Sequence, residues 1–362
     1  MAEKRWKIEW QVKAKDIAYP QKKADMEKVL VGMSGGVDSA VSAYMLQKQG
    51  YSVSGITLIL HDCVKTEVED AKNICDVIGV EHFAVEFKKK FEEAVIRNFI
   101  ESYISAKTPN PCIICNENIK FGVLLEKAKE LGFDKLATGH YAKIEQENGI
   151  FKLKKAKDVQ KDQSYVLYRL SQKQLSHVLF PLGNMTKSEV REAAKEASLP
   201  SAEREESQEN CFIEGSYTDF LLNNLDPSKV KPGDIYDMQG RKLGKHKGLI
   251  YYTVGQRSGL GLTTEKPVYV IKIDVLHNAM IVGIKEEIYS KEMEVENIKW
   301  TAGEPEYPFE ADVKIRRMHK PAKAAVYENK VIFDEPQASI TPGQSAVFYQ
   351  DDEVLGGGFI KK

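Results

Sequence analysis

Residues 28–45 read KVLVGMSGGVDSAVSAYM, and this stretch decides how the chain folds. Val29, Leu30 and Val31 form a continuous apolar run, as expected of a strand buried on both faces. Val41, Tyr44 and Met45 recur at helical spacing. Between the two stand Ser34, Gly35, Gly36, Asp38 and Ser39. Glycines at such a hinge let the backbone take positive φ and approach a ligand closely. The following helix offers unpaired N–H groups and the positive end of its dipole. The layout is an anion trap. A ligand-free Gly-Gly turn is the plain alternative, and the full run SGGVDS at a strand–helix junction weighs against it.

Working outward, strands and helices alternate to about Gly139. YSVSGITLIL reads as a strand, residues 66–79 as a helix ending before Gly79, and EHFAVEF as a strand. Phe91, Val95, Phe99 and Tyr103 mark another helix, residues 117–131 a further one, and DKLATGH a strand. Strands separated by helices predict an α/β fold with a doubly wound parallel sheet, whose ligands sit at the strands' carboxyl ends. Both GMSGGVDS and TGHY fall there. Thr186 with Glu189 forms a capping box and predicts a helix over VREAAKEA. After Cys211 the texture becomes rich in glycine and charge. From about Lys266 short strands follow: VYVIKIDV, AMIVGI, ADVKIRR, KAAVYE, KVIFDE and SAVFYQ. They suggest a small β-barrel. The expected division is an extension over 1–27 with isolated Trp6 and Trp10, a catalytic domain over 28–213, a small central domain over 214–283 and a C-terminal β-barrel over 284–362.

The 362 residues are enough for two or three domains. Lys plus Arg (52) nearly balances Asp plus Glu (53), so net charge announces no polyanion partner. Local basic clusters still can, because a polyanion feels the patch that faces it. No apolar run approaches the roughly 18 to 20 residues needed to span a bilayer, and the start lacks a signal peptide's apolar core. These features predict a soluble cytoplasmic protein, with no membrane and no DNA partner. The five cysteines are Cys63, Cys75, Cys112, Cys115 and Cys211. An odd count argues against a disulfide framework and for metal, redox or catalytic use of a few. Cys75 shares an apolar helical face with Val68, Ala71 and Ile78 and reads as core.

The loop is neither a Walker loop nor a dinucleotide turn, since GxxxxGK[ST] and GxGxxG are both absent. SGGVDS instead resembles the pyrophosphate-binding loop of the N-type ATP pyrophosphatases (the PP-loop superfamily), which adenylate a carbonyl oxygen with ATP. The resemblance gives phosphate oxygens to Ser34, Gly35, Gly36 and Ser39, and Mg²⁺ to Asp38. A second signal is TPNPCIICNENIKFG. Its prolines predict an extended loop ahead of Cys112, with Cys112 and Cys115 just before a helix starting near Asn116 or Glu117. Thiols at a helix N-terminus carry more thiolate, which suits a nucleophile or metal ligand.

GMSGGVDS, TPNPCxxCNxxIKFG, TGHYA, KDQSYVLY, LFPLG, ESQENCFI, YTVGQRSGLG and TPGQSAVFY occur in one order from about Lys28 to Gly358. Together they resemble the tRNA-specific 2-thiouridylases (the MnmA type). The resemblance implies ATP-dependent adenylation of the C2 oxygen of the wobble uridine in the tRNAs for lysine, glutamate and glutamine. Sulfur then replaces AMP. It implies an ATP site lined by Gly32, Met33, Ser34, Gly35, Gly36, Val37, Asp38, Ser39, Leu58 and Gly139. It gives Asn110, Pro111 and Cys112 to the target base, and Lys161, Asp162, Gln163, His140, Arg316, Arg317 and Gln344 to the tRNA. Lys314 and Lys320 beside the arginines suit backbone phosphates, although a basic run is equally read as a solvated strand face.

One departure matters. Many members carry Asp where this chain has Cys112. In those, the cysteine matching Cys211 carries a persulfide, and the one matching Cys115 attacks it or forms a disulfide with it. Here Cys112, Cys115 and Cys211 offer three thiolates, enough for three irons of a 4Fe–4S cluster with one iron open to sulfide. Three routes stay open: the cluster, the persulfide with Cys115 and Cys211 as the catalytic pair, and a structural zinc completed by His61, Cys63 or His140. The sulfur source is a donor protein or sulfide. Because Cys211 is far from the other two in sequence, a segment around 200–212 is expected to move when tRNA binds. Two rival classes remain. One is another PP-loop tRNA enzyme making 4-thiouridine, 2-thiocytidine or lysidine, although Val37 replaces the Lys of the thiocytidine loop. The other is a non-enzymatic RNA-binding protein, which has no use for SGGVDS.

Overall fold

Val29, Leu30 and Val31 have no solvent exposure, as their uninterrupted apolar run requires. The computed structural model describes residues 26–61, 65–204 and 210–361. The expectations for Trp6, Trp10 and Cys63, and for residues 205–209 of the segment near Cys211, fall outside them. Strands β1 (Lys28–Gly32), β2 (Ser52–Ile59), β3 (Glu81–Glu86) and β4 (Lys135–Ala137) come first. A hairpin of β5 (Lys143–Glu147) and β6 (Ile150–Lys154) follows, and then β7 (Val178–Leu179). The first sheet has the order β3-β2-β1-β4-β7, with every pairing parallel. After β1 the chain winds to one side through β2 and β3, and then returns to place β4 on the other. The junction of β1 and β4 is therefore the topological switch point, where ligands of open α/β sheets bind. Helix α1 (Val37–Lys48) leaves β1 through the glycine loop, and α2 (Lys65–Ile78) joins β2 to β3.

The β5–β6 hairpin was not expected from sequence. Asn148 and Gly149 turn it, both with positive φ (51° and 82°), the type I′ chemistry that suits a two-residue hairpin. A second correction concerns the cysteine helix. It starts at Pro111, with Asn110 as N-cap accepting the Cys112 N–H at 3.1 Å. Helical structure then continues through residues 111–130, including a π-helical stretch at Asn116–Val123. Asn at the N-cap and Pro at the first helical position are a strong start signal. Reading the second proline as loop put the start about one turn too late.

Strands β8 (Gly233–Tyr236), β9 (Lys242–His246), β10 (Tyr269–Asp274) and β11 (Ala279–Gly283) form a separate sheet of order β10-β11-β8-β9. VYVIKIDV and AMIVGI thus belong here and not to the barrel that follows. That barrel is made by β12 (Tyr289–Trp300), β13 (Phe309–Lys314), β14 (Ala322–Val326), β15 (Lys330–Ala338), β16 (Ser345–Gln350) and β17 (Glu353–Ile360). It closes when β12 pairs with both β15 and β17. The β5–β6 hairpin attaches to its wall where Lys154 pairs with Glu353. Tyr165 and Tyr168, in the segment between hairpin and β7, bond to Ser345 of β16. The barrel is thereby packed on the first domain.

Candidate active site

The glycine loop is built as the sequence expects. Gly35 has φ +73°, and a Cβ there would lie 2.9 Å from Asp70 Cβ. Gly36 is the N-cap of α1 and supplies no side-chain acceptor, so the first-turn N–H groups lack the usual cap. Inside the loop Ser39 Oγ donates to Gly36 O at 3.0 Å and accepts from Ser34 N–H at 3.3 Å. Ser34 is exposed; Met33, Val37 and Ser39 are buried. Gly139, just past the end of β4, seats directly on this loop. A Cβ on Gly139 would lie 2.8 Å from both Asp38 C and Ser39 N. Only glycine lets the two strand ends come this close. Leu58, near the end of β2, is half-buried against the core behind the loop.

Asp38 has partners that the sequence did not reveal. Its Oδ1 accepts the Tyr141 hydroxyl at 2.7 Å and the Lys187 ammonium at 2.7 Å. Among the described residues no donor reaches Oδ2. Tyr141 sits in the TGHY run, which flagged its neighbourhood but not its role. Lys187 opens the helix Lys187–Glu196, whose cap Thr186 and Glu189 form as predicted. Nothing in its surroundings in sequence points to a phosphate loop 149 positions away.

The three cysteines gather at one place. Cys112 is exposed in the first turn of its helix, and Cys115 is buried one turn further on among Phe91, Val95 and Ile119. Burial pushes the Cys115 thiol up to about 12, with Lys120 opposing and Cys211 and Cys112 adding to the rise. The expected thiolate enrichment is therefore absent at Cys115, because the fifth helical position lies in an apolar pocket and not at the open helix end. Cys211 is open to solvent, yet the protein mass around its sulfur raises that thiol too, with Lys120 again opposing. Phe212 fixes it: its ring lies 5.7 Å from Phe91, 5.4 Å from Phe99 and 5.2 Å from Phe220. The cluster that buries Cys115 therefore also anchors Cys211's neighbour. The long approach expected of Cys211 is not needed.

Family models match along the chain: a tRNA methyl transferase HUP domain at residues 27–215, its PRC-barrel domain at 218–284 and an aminomethyltransferase beta-barrel domain at 290–360. The chain is 48% identical to the tRNA-specific 2-thiouridylase MnmA of Halothermothrix orenii, over 93% of this chain and 99% of that one. It is 44% identical to MnmA 1 of Syntrophus aciditrophicus over 93% of each chain. The Clostridium perfringens MnmA is 43% identical over 92% of this chain and 98% of its own. The chain belongs to the tRNA-specific 2-thiouridylase family.

Within this 2-thiouridylase the remaining expected residues divide into two groups. Arg316 and Arg317 are exposed in the turn after β13, and Lys161 is half-exposed on its loop. The others face inward. His140 is 8% exposed, bonded through Nδ1 to Thr138 Oγ1 at 2.7 Å and packed between Phe121 and Phe180. Burial, helped by Lys120, holds it well below its ordinary range, so it is a neutral imidazole. Asp162 turns its carboxylate onto Ala156 N–H (2.9 Å) and Ser164 Oγ (2.8 Å). Gln163 accepts the Tyr141 N–H at 2.9 Å. Gln344 donates Nε2 to Thr108 O at 2.7 Å, ahead of Asn110 and Pro111. Thr108 is a junction of all three domains: its N–H donates to Pro342 O at 2.8 Å and its hydroxyl to Thr253 Oγ1 at 3.2 Å.

Fit to an iron–sulfur cluster or zinc is a separate matter. Among the described residues, no three His, Cys, Asp or Glu side chains stand together so as to hold a metal ion. The buried, protonated Cys115 and the Thr138-bonded His140 are not arranged as ligands. The three thiols therefore do not fit a cluster as they stand. Asp38, with Oδ2 unengaged, does suit Mg²⁺, a hard cation that takes carboxylate oxygen. Among the described residues no helix is long and apolar enough to cross a membrane.

Proposed function

We propose that this chain is a tRNA 2-thiouridine synthase acting on the wobble uridine of the tRNAs for lysine, glutamate and glutamine in the cytoplasm. The carrying observation is that one end of one sheet presents both the SGGVDS loop with Asp38 and the helix bearing Cys112 and Cys115, with Cys211 anchored beside them. Mg²⁺, held by Asp38, would supply charge neutralisation on the nucleotide. The loop N–H groups orient the phosphates of ATP. The uridine O2 bonds to the α-phosphorus as pyrophosphate leaves, turning a poor leaving group into AMP. Cys211, open to solvent, takes a persulfide from a donor protein. Its terminal sulfur bonds to C2 as AMP departs. Cys115 then attacks the Cys211 sulfur, releasing 2-thiouridine and leaving a Cys115–Cys211 disulfide. A thiol reductant returns both to thiols with two electrons. Exposure of Cys211 and proximity of Cys115 support this two-cysteine route, and Cys112 then stands at the base-facing loop as a replacement for Asp. The word methyl in the family-model descriptions has no counterpart in this chemistry, which needs an ATP loop and paired thiols.

The test is to incubate the purified protein with unmodified lysine tRNA, Mg-ATP and a persulfide-generating desulfurase. Thiolated tRNA is then resolved on a mercury-affinity gel. The expected result is ATP-dependent retardation that is lost in Cys211→Ala and Asp38→Ala. No retardation with an active sulfur donor, or full activity of Asp38→Ala, would overturn the reading.

A further inference from the structure

Lys187 is held unusually firmly for a lysine. Its backbone N–H donates to Asp158 Oδ2 at 2.9 Å. The capping box of Thr186 and Glu189 fixes the turn around it. Its side chain is 12% exposed and runs into the glycine loop, where Nζ meets Asp38 Oδ1. Withdrawing an ammonium from water is costly, and a mostly buried ion pair is weak evidence for a purely stabilising role. The other cation at this loop is otherwise committed: Arg204 Nη1 donates to Gly35 O at 3.2 Å and pairs with Asp70.

We propose that Lys187 is a phosphate-binding residue of the ATP site. Its ammonium, paired here with Asp38, passes to the pyrophosphate portion of Mg-ATP and meets the negative charge that develops there. The inference rests on reading the glycine loop as that site. Two features of the geometry carry it. Both protein donors use Oδ1 of Asp38, which leaves Oδ2 for a divalent cation. A cation on this carboxylate repels the ammonium beside it and weakens its hold. The four-carbon stem of lysine then lets the charged head swing to a nearby anion without moving the helix. During adenylation the uridine O2–phosphorus bond forms as the bond from the α-phosphorus to the bridging oxygen breaks. The electron pair leaves with pyrophosphate, where a cation that strengthens its contact lowers the barrier. Tyr141, on the same Oδ1, keeps Asp38 oriented after the exchange.

The test compares full-length wild type, Lys187→Met and Lys187→Arg by calorimetry with Mg-pyrophosphate, Mg-ATP and AMP. Methionine keeps the buried stem, and the thermal midpoint checks folding. Lys187→Gln, which keeps a polar head, is read the same way if the methionine variant does not fold. Lys187→Met should weaken pyrophosphate and ATP by about tenfold or more, as loss of a charge-assisted contact predicts. AMP binding should change less than about twofold, and Lys187→Arg should recover most of the loss. Pyrophosphate affinity equal to wild type would overturn the proposal. So would equal weakening of all three ligands, which marks Lys187 as a prop for the loop alone. Wild-type protein that binds none of the three would refute the ATP-site reading itself.

Discussion

Two glycines flank the same loop and should respond oppositely to alanine. At Gly139 the new Cβ would lie 2.8 Å from Asp38 C and Ser39 N and 3.0 Å from Asp38 Cβ. Two of these are backbone atoms at the start of α1, so no rotamer change relieves the contact. Restoring ordinary van der Waals separation requires roughly 0.6 Å of movement between β4 and the loop. Overpacking of that kind costs about 1–3 kcal/mol of stability. Misplacing reacting groups by a comparable distance lowers rate by on the order of ten- to a hundredfold. At Gly32 the Cβ would meet Thr138 Cγ2 at 3.5 Å and Ala137 O at 3.7 Å, ordinary contact at both. Gly139→Ala should therefore melt several degrees lower and lose ten- to a hundredfold in kcat/KM for ATP, by about the figures above. Gly32→Ala should stay within about twofold of wild type, because nothing has to move. Thermal melts and ATP-dependent thiolation measure both. Equal ATP use by the two variants would refute the argument that the seat of Gly139 on the loop sets phosphate geometry.

Raising a thiol from 9 to about 12 should slow alkylation of Cys115 roughly 50-fold against an ordinary exposed thiol before steric protection is counted. Peptide mass mapping after brief iodoacetamide treatment should find exposed Cys112 modified and Cys115 protected. Gln344→Ala removes the 2.7 Å bond to Thr108 O, worth about 1 kcal/mol of stability. Its thiolation kcat should fall further than its tRNA affinity, whereas a tenfold loss of affinity with an unchanged melt would return Gln344 to direct RNA contact. His140 is neutral when folded, and its imidazole in the unfolded chain takes up a proton below about pH 6.5. Stability from this site is therefore complete above about 6.5 and falls as pH drops, by up to about 1.4 kcal/mol at pH 5.5. Denaturant titrations at both pH values should show a smaller loss in His140→Asn than in wild type.

The catalytic fold was legible because its signals are local. An apolar triplet, a glycine hinge and a 3.6-residue pattern each constrain a few adjacent residues, and Thr186 with Glu189 announces its helix within four. The missed features have two kinds of cause. The β5–β6 hairpin and the start of the cysteine helix carried readable signals, Asn-Gly and Asn-Pro, that were overlooked amid charged and proline-rich surroundings. The partners of Asp38 carried none, because Lys187 and Tyr141 reach it only once β4 and the Lys187–Glu196 helix have packed against the loop. The same holds for burial. Cys115 reads as a reactive thiol from its spacing, and only the packing of Phe91, Val95 and Ile119 around it makes it inert.

That inertness shapes how sulfur transfer has to be controlled. A thiol near 12 is ionised in fewer than about one molecule in ten thousand at pH 7.5. Burial is the largest cause and Lys120 the opposing one, so Cys115 gains nucleophilicity when its apolar cover loosens or Lys120 draws nearer. The helix that carries both is bolted to the barrel at two points. Glu117, two residues past Cys115, bonds to Arg169 and Lys299, and Arg169 also donates to Asn297 O at 3.0 Å. Ahead of the helix, Thr108 is held by Pro342 and Gln344. The barrel also carries exposed Arg316 and Arg317, so a polyanion drawn to those arginines pulls on the same body that sets the packing around Cys115. A protein with this arrangement keeps its sulfur-accepting pair quiet by desolvation, which needs no inhibitor and is relieved only by movement of the elements that enclose it.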